Sequence, residues 1–266
     1  MKHFKTIKLT IICLGFLSLL YGLAHMDQPH RKTNNETTAM AENEPAKTVE
    51  MAEQKIMYLT FNDGPSENTQ GILDILDHYH IKATFFVTGS NPEYFDLLKI
   101  IHERGHVLAL HTYSHDYKTI YADANAYFQD LTKLENLLND QVGIQTNILR
   151  FPEGSANIVA NQYHEGIMGE LVKDTEQLDY VYYDWNGENG DHDPKLSPTT
   201  LYQNALASVE GKDTVMMLMH DGSENANTLQ ALDQTLQEFQ RQGWEFRVIE
   251  ESHMPVFHQL EDNSAD

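Results

Sequence analysis

At 266 residues with 41% hydrophobic and 10% aromatic side chains, the chain is long enough to bury one large core, which excludes a wholly disordered or collagen-like polymer. Its 18 Lys/Arg against 40 Asp/Glu give a net charge of −22, which argues against DNA or RNA as a partner because phosphate binding needs clustered cations. The single cysteine, Cys13, excludes an internal disulfide framework and any cysteine-based zinc site, so a bound metal would have to be held by His, Asp or Glu.

Lys2, Lys5 and Lys8 precede an uncharged run over residues 9–24 (LTIICLGFLSLLYGLA), the pattern of a secretory signal or a short membrane anchor. Residues 1–26 are read as that segment, with Gly22-Leu23-Ala24 as small residues suited to cleavage and Cys13 as a membrane-buried hydrophobe. Either form places the remainder outside the cytoplasm, secreted or tethered, and membrane contact is confined to this segment. Residues 27–54 are polar and without apolar periodicity, as a linker should be. Residues 1–54 carry six basic and six acidic side chains, so the whole −22 falls on residues 55–266. Such an acidic surface aids solubility and repels anionic wall polymers.

From residue 55 to 250, short β-type runs alternate with helical patterns. Strands are predicted over 56–61 (IMYLTF), 83–87 (ATFFV) and 107–110, with a short run over 147–150 leading into a loop, and further strands over 180–183, 215–219 and 246–249. Helices are predicted over 69–79, 94–104 (stopped by Gly105), 122–138, 199–209 and 229–242. Repeated βα units imply an α/β fold with a parallel sheet, and their number favours barrel closure over an open doubly wound sheet. Residues 251–266 read as a frayed tail. Chemistry in such folds gathers where strands end, so functional residues are expected in the segments after each strand.

After the first strand stands Asn62-Asp63-Gly64-Pro65; after the third, His111-Thr112-Tyr113-Ser114-His115. Two histidines spaced i, i+4 on one helical turn are close enough to share a cation, and Asp63 from a second strand end would complete an open three-ligand site suited to zinc. His78, His80, His102 and His106 fall at helix ends or turn boundaries and read as solvated or capping residues. Met216-Met217-Leu218-Met219 reads as buried strand.

The runs Leu59-Thr60-Phe61-Asn62-Asp63-Gly64-Pro65, His111-Thr112-Tyr113-Ser114-His115, Arg150-Phe151-Pro152-Glu153-Gly154 and Leu218-Met219-His220 resemble, in order, the motifs of the polysaccharide deacetylases of carbohydrate esterase family 4 (NodB homology domain). The resemblance implies a distorted, incomplete (β/α) barrel and removal of acetyl groups from N-acetylhexosamines of peptidoglycan or chitin, or from xylan. It implies one divalent metal, zinc foremost, on Asp63, His111 and His115. His220 matches the general acid. Asp191, in the looser segment Tyr183-Asp184-Trp185-Asn186-Gly187-Glu188-Asn189-Gly190-Asp191, matches its carboxylate partner, with Asp184 as rival. Arg150 matches the arginine that orients the base, Leu218 would line the acetyl pocket, and the backbone N–H of Glu153 would face the oxyanion. Tyr113, Tyr117 and Trp185 are either sugar contacts or core aromatics, while His192 stands where many relatives have Trp.

The family pattern has two consecutive aspartates where this chain has Asn62-Asp63. Asn62 therefore occupies the base position with a side chain that accepts no proton usefully at neutral pH, whereas a carboxylate of ordinary pKa about 3.9 does. The substitution leaves three expectations: an exported deacetylase with impaired hydrolysis, a catalytically silent relative that binds metal and glycan, or an unrelated metallo-amidase or esterase. Glu153, and more weakly Glu188, are the carboxylates that could stand in as a relocated base.

Overall fold

The computed structural model describes residues 54–250, so the candidate signal or anchor over 1–26, the linker over 27–54 except its last residue, and the tail over 251–266 lie outside the described residues. Within them, eight parallel strands and seven α-helices alternate: β1 (Lys55–Asn62), α1 (Thr69–His78), β2 (Thr84–Val87), α2 (Asp96–Glu103), β3 (Val107–Leu110), α3 (Tyr117–Ile120), α4 (Ala124–Val142), β4 (Ile148–Leu149), α5 (Ile167–Gln177), β5 (Val181–Tyr182), β6 (Gly187–Glu188), α6 (Pro198–Ser208), β7 (Thr214–His220), α7 (Ala226–Arg241) and β8 (Trp244–Arg247). Among these residues no helix is long and apolar enough to cross a membrane.

The sheet runs β5-β4-β3-β2-β1-β7-β6, with β8 also paired to β1. Its end strands β5 and β6 do not pair, so the βα count that favoured closure yields an incomplete barrel of the kind the resemblance implies. Register explains why distant motifs meet. Asn62 pairs with His220 and with Phe86, Val87 with Leu110, Leu110 with Leu149, and Leu149 with Tyr182. The residues just beyond these strands therefore emerge along one edge of the sheet.

Strand periodicity assigns each side chain to a face. Met57, Leu59 and Phe61 join Phe85, Val87, Leu108 and Leu110 in the large core beneath the helices. Tyr58, Phe86, Ala109, Ile148, Tyr183 and Met216 form a smaller cluster on the opposite face, the one shared by Thr60, Asn62, Leu218 and His220. Asp123 caps α4 by accepting the Ala126 N–H at 2.8 Å, and left-handed Gly143 ends it. Ser197 caps α6, with Pro198 in its first turn.

Candidate active site

Asp63 leaves β1 in a left-handed conformation (φ 74°), with its N–H bonded to the Phe86 carbonyl at 3.2 Å. Its Oδ1 lies 3.3 Å from His111 Nε2 and 3.4 Å from His115 Nε2, and the three ligand atoms all fall within 4.8 Å of one another. The His111–His115 segment is a loop in which Thr112 (φ 69°) and His115 (φ 49°) are left-handed, so the histidines converge without the helical turn expected from their spacing. His111 Nδ1 meets the Arg150 carbonyl at 2.8 Å; a proton donated there leaves the Nε2 lone pair facing Asp63.

Burial lowers the His111 pKa, favouring the neutral imidazole that ligates. Burial also pushes the Asp63 carboxyl up, but the adjoining His111 ring and the His220 and His115 charges outweigh it and hold Asp63 well below the usual carboxylate range. Asp63 Oδ1 is buried with no hydrogen-bond partner. An unpaired anionic oxygen between two imidazole nitrogens fits a cation, because a buried acceptor is otherwise satisfied. Asp63→Ala is expected to weaken zinc binding by at least the roughly 10–100-fold that loss of a residue merely supporting a ligand brings, as read by competition with a chromophoric chelator. Unchanged affinity would remove Asp63 from the ligand set.

Across the cleft, His220 Nδ1 lies 2.7 Å from Asp191 Oδ1, and the His220 backbone N–H donates to Asp191 Oδ2 at 2.8 Å. The Thr228 hydroxyl donates to the same Oδ2 at 2.6 Å, and Asn225 Nδ2 to the Asp191 carbonyl. The rival Asp184 instead accepts the backbone N–H and hydroxyl of Ser155, holding the loop that carries Glu153. Burial by itself would lower the His220 pKa, but the Asp191 charge and hydrogen bond raise it to about 9. The pair therefore stabilises the fold fully below the unfolded value of 6.5, and the stabilisation is lost as pH rises through about 9. In zinc-free buffer, denaturant stability is expected to fall by roughly 3 kcal/mol across that window, with Asp191→Asn flattening the decline. Equal pH dependence in both chains would refute the coupling.

At the base position, Asn62 is buried and Arg150 Nη1 donates to its Oδ1 at 3.0 Å. The same guanidinium donates to Thr60 Oγ1, to the Tyr183 carbonyl and to the Asp184 carbonyl, and stacks 4.1 Å from the Phe86 ring centroid. Burial lowers the Arg150 pKa to about 9 against the raising effect of Asp184, so the group stays charged at neutral pH. With Oδ1 held by Arg150, the Asn62 Nδ2 lies 3.4 Å from His111 Nε2. The amide therefore offers the cleft a donor where a base would offer an acceptor.

The cleft is lined by Asn62 and the triad, His220 and Asp191, and by Leu218, Trp185, Tyr117, Glu153, Glu188 and His192. Glu153 (φ 63°) accepts the Tyr117 hydroxyl at 3.1 Å, which places its side chain at the cleft wall. Tyr113 lies outside this lining. Its ring packs against Gly89, where an added Cβ would come within 2.4 Å of it, because the left-handed backbone at Thr112 turns the next side chain away from the strand end. Tyr117, two residues beyond His115 at the start of α3, is the tyrosine that lines the cleft. Glu224 and Asn225, which also line the cleft, carry no motif that reveals them in sequence.

The polysaccharide deacetylase family profile matches residues 50–166. The Bacillus subtilis (strain 168) protein YheN, which carries a polysaccharide deacetylase name, is 30% identical over 208 residues, covering 76% of this chain and 70% of that protein. A peptidoglycan-N-acetylglucosamine deacetylase of Bacillus cereus (strain ATCC 14579) is 29% identical over 211 residues, covering 77% and 73%. The crystal structure of the catalytic domain of the peptidoglycan N-acetylglucosamine deacetylase from Eubacterium rectale ATCC 33656 superposes with a TM-score of 0.74 at 39% identity, covering 79% of this chain and 94% of that one. With these matches and the site that its strand ends assemble, the chain belongs to the polysaccharide deacetylases of carbohydrate esterase family 4, hydrolases acting on carbon–nitrogen bonds other than peptide bonds.

Proposed function

We propose that this chain is an extracytoplasmic, zinc-dependent deacetylase of N-acetylated cell-wall glycan, with the N-acetylglucosamine of peptidoglycan as its first substrate, and that Asn62 slows its hydrolytic step. The observation that carries the reading is the pairing of Asn62 with His220 across β1 and β7, which sets the Asp63–His111–His115 group and the Asp191–His220 pair in one cleft. The named activities of the B. cereus and E. rectale relatives support the substrate, and the uncharged run over residues 9–24 supports export.

Held by Asp63, His111 and His115, a divalent cation supplies Lewis-acid polarisation of the acetyl carbonyl and acidification of water; two imidazoles and a carboxylate with an open position suit zinc. His220, kept protonated by Asp191, is set to give its Nε2 proton to the departing sugar amine. The Glu153 backbone N–H, on a left-handed turn at the cleft wall, is the donor for the developing oxyanion. Leu218 forms the apolar floor for the acetyl methyl, and Trp185 offers a ring face to the sugar. Arg150 fixes the side chain at position 62 from beneath.

A second reading is favoured by Asn62 itself: a silent relative that holds metal and glycan without turnover. Acetate release from chitooligomers, peptidoglycan and acetylated xylan by the zinc-loaded native chain tests both. Slow release from the N-acetylated glycans, above a metal-stripped control, supports the enzyme. Glycan binding with no release supports the silent reading, and release from xylan alone would overturn the N-acetyl assignment.

A further inference from the structure

Two carboxylates that take no part in ligation are buried beside the triad, Asp130 on α4 at 1% exposed and Asp221 at the end of β7 at 0%. Each holds a loop that carries a ligand. Asp130 Oδ1 accepts the backbone N–H groups of Tyr113 at 2.7 Å and Ser114 at 3.0 Å, the two residues between left-handed Thr112 and left-handed His115. Non-glycine residues in that conformation are strained and persist only where their surroundings hold them. The His111 ring is fixed by the Arg150 carbonyl. The His115 ring faces Asp63, His111 and Tyr117, and among the described residues no carbonyl or carboxylate accepts from its other nitrogen. Its placement is therefore transmitted through the loop.

Asp221 does the same for Asp63. Its Oδ2 accepts the Thr69 hydroxyl at 2.7 Å, and its carboxyl group packs against Gly64. Its own N–H donates to the Asn62 carbonyl at 3.0 Å, while its carbonyl accepts the Ser66 hydroxyl. The two backbone bonds reach residues on both sides of left-handed Asp63, and the carboxyl group adds contact with Gly64, the residue after it, and with Thr69. The fit is close: a Cβ built on Gly64 would stand 2.2–2.5 Å from the Asp221 carboxyl atoms, so only glycine permits this approach.

We propose that Asp130 and Asp221 are positioning residues for the metal ligands, Asp130 setting His115 and Asp221 setting Asp63 so that the three ligand atoms converge before a cation arrives. The proposal rests on the Asp63–His111–His115 reading above. It is tested by titrating zinc into the metal-free full chain against a chromophoric chelator, for the native protein and for Asp130→Asn, Asp221→Asn, Asp130→Ala, Asp221→Ala and Gly64→Ala. Asp233→Asn, at an exposed carboxylate that meets Tyr79, controls for loss of charge. An amide accepts donors more weakly than a carboxyl group and sets an NH2 where the second oxygen stood, so the Asn variants should bind zinc roughly tenfold more weakly and the Ala variants roughly 100-fold. Gly64→Ala should behave like the Ala variants, and the Asp233→Asn control should match the native chain.

The visible spectrum of the cobalt(II)-loaded variants should change as well, which a purely structural role would not require. Because the Asn variants keep side-chain shape and one acceptor, they remain informative should an Ala variant fail to fold. Native-like zinc affinity and cobalt spectra in both Asn variants and in whichever Ala variants fold would overturn the proposal while leaving the ligand reading intact. A native chain that binds no zinc would overturn the ligand reading and this proposal with it.

Discussion

Asn62→Asp is expected to raise the rate of acetate release from N-acetylated glycan by roughly 10²–10⁴, the usual worth of a positioned general base. The geometry for it is already built. Arg150 Nη1 donates to Asn62 Oδ1 at 3.0 Å, and an aspartate of the same shape keeps that bond with one oxygen. Its second oxygen then replaces Nδ2, which lies 3.4 Å from His111 Nε2, turning a donor into an acceptor beside the triad. The buried guanidinium, now bonded to a hydroxyl, an amide and two carbonyl oxygens, gains a carboxylate partner. Because a base acts in the transition state, the gain belongs in kcat, with KM little changed. A rate equal to that of the native chain would mean that another group already serves as base. Glu153 is the first alternative, although its carboxylate accepts the Tyr117 hydroxyl.

The second large effect is a loss. In the Asn62→Asp background, His220→Ala should lower acetate release by roughly 10²–10⁴, since the other described imidazoles paired with a carboxylate in the cleft, His111 and His115, belong to the ligand group. Asp191→Asn should be informative in a different manner. The carboxylate raises the His220 pKa to about 9, so the alkaline limb of the pH–rate profile should lie near that value and move toward 6.5 when the charge is removed. Unchanged profiles would show that His220 does not supply the proton. A His220→Ala chain as fast as its parent would give the same answer more bluntly.

Much of the scaffold is legible in the sequence because its strands are short apolar runs bounded by turns. The third strand, over 107–110, coincides with the expectation, and most helix limits fall within a few residues. Helix α5 escapes the pattern because left-handed Gly166 precedes it with no side-chain cap, and Gly169 interrupts its periodicity. Strand β6 escapes it because Gly187-Glu188 has no apolar run; it exists through pairing with Met217 and Leu218 of β7. At the site, residue types and order are readable, but backbone handedness is not. Left-handed Thr112 and His115 replace the expected helical turn and turn Tyr113 out of the cleft, leaving Tyr117 in its lining. Asp130 and Asp221 sit in ordinary acidic contexts, and only the fold reveals that they are buried against ligand loops.

The most direct test of the account is the product balance of the zinc-loaded Asn62→Asp chain acting on peptidoglycan and chitooligomers, with acetate and newly exposed primary amine measured together. N-deacetylation at this site predicts equal amounts of the two, at a rate well above that of the native chain and abolished by adding Asp63→Ala. Acetate without amine, or neither product from the native and Asn62→Asp chains alike, would contradict it.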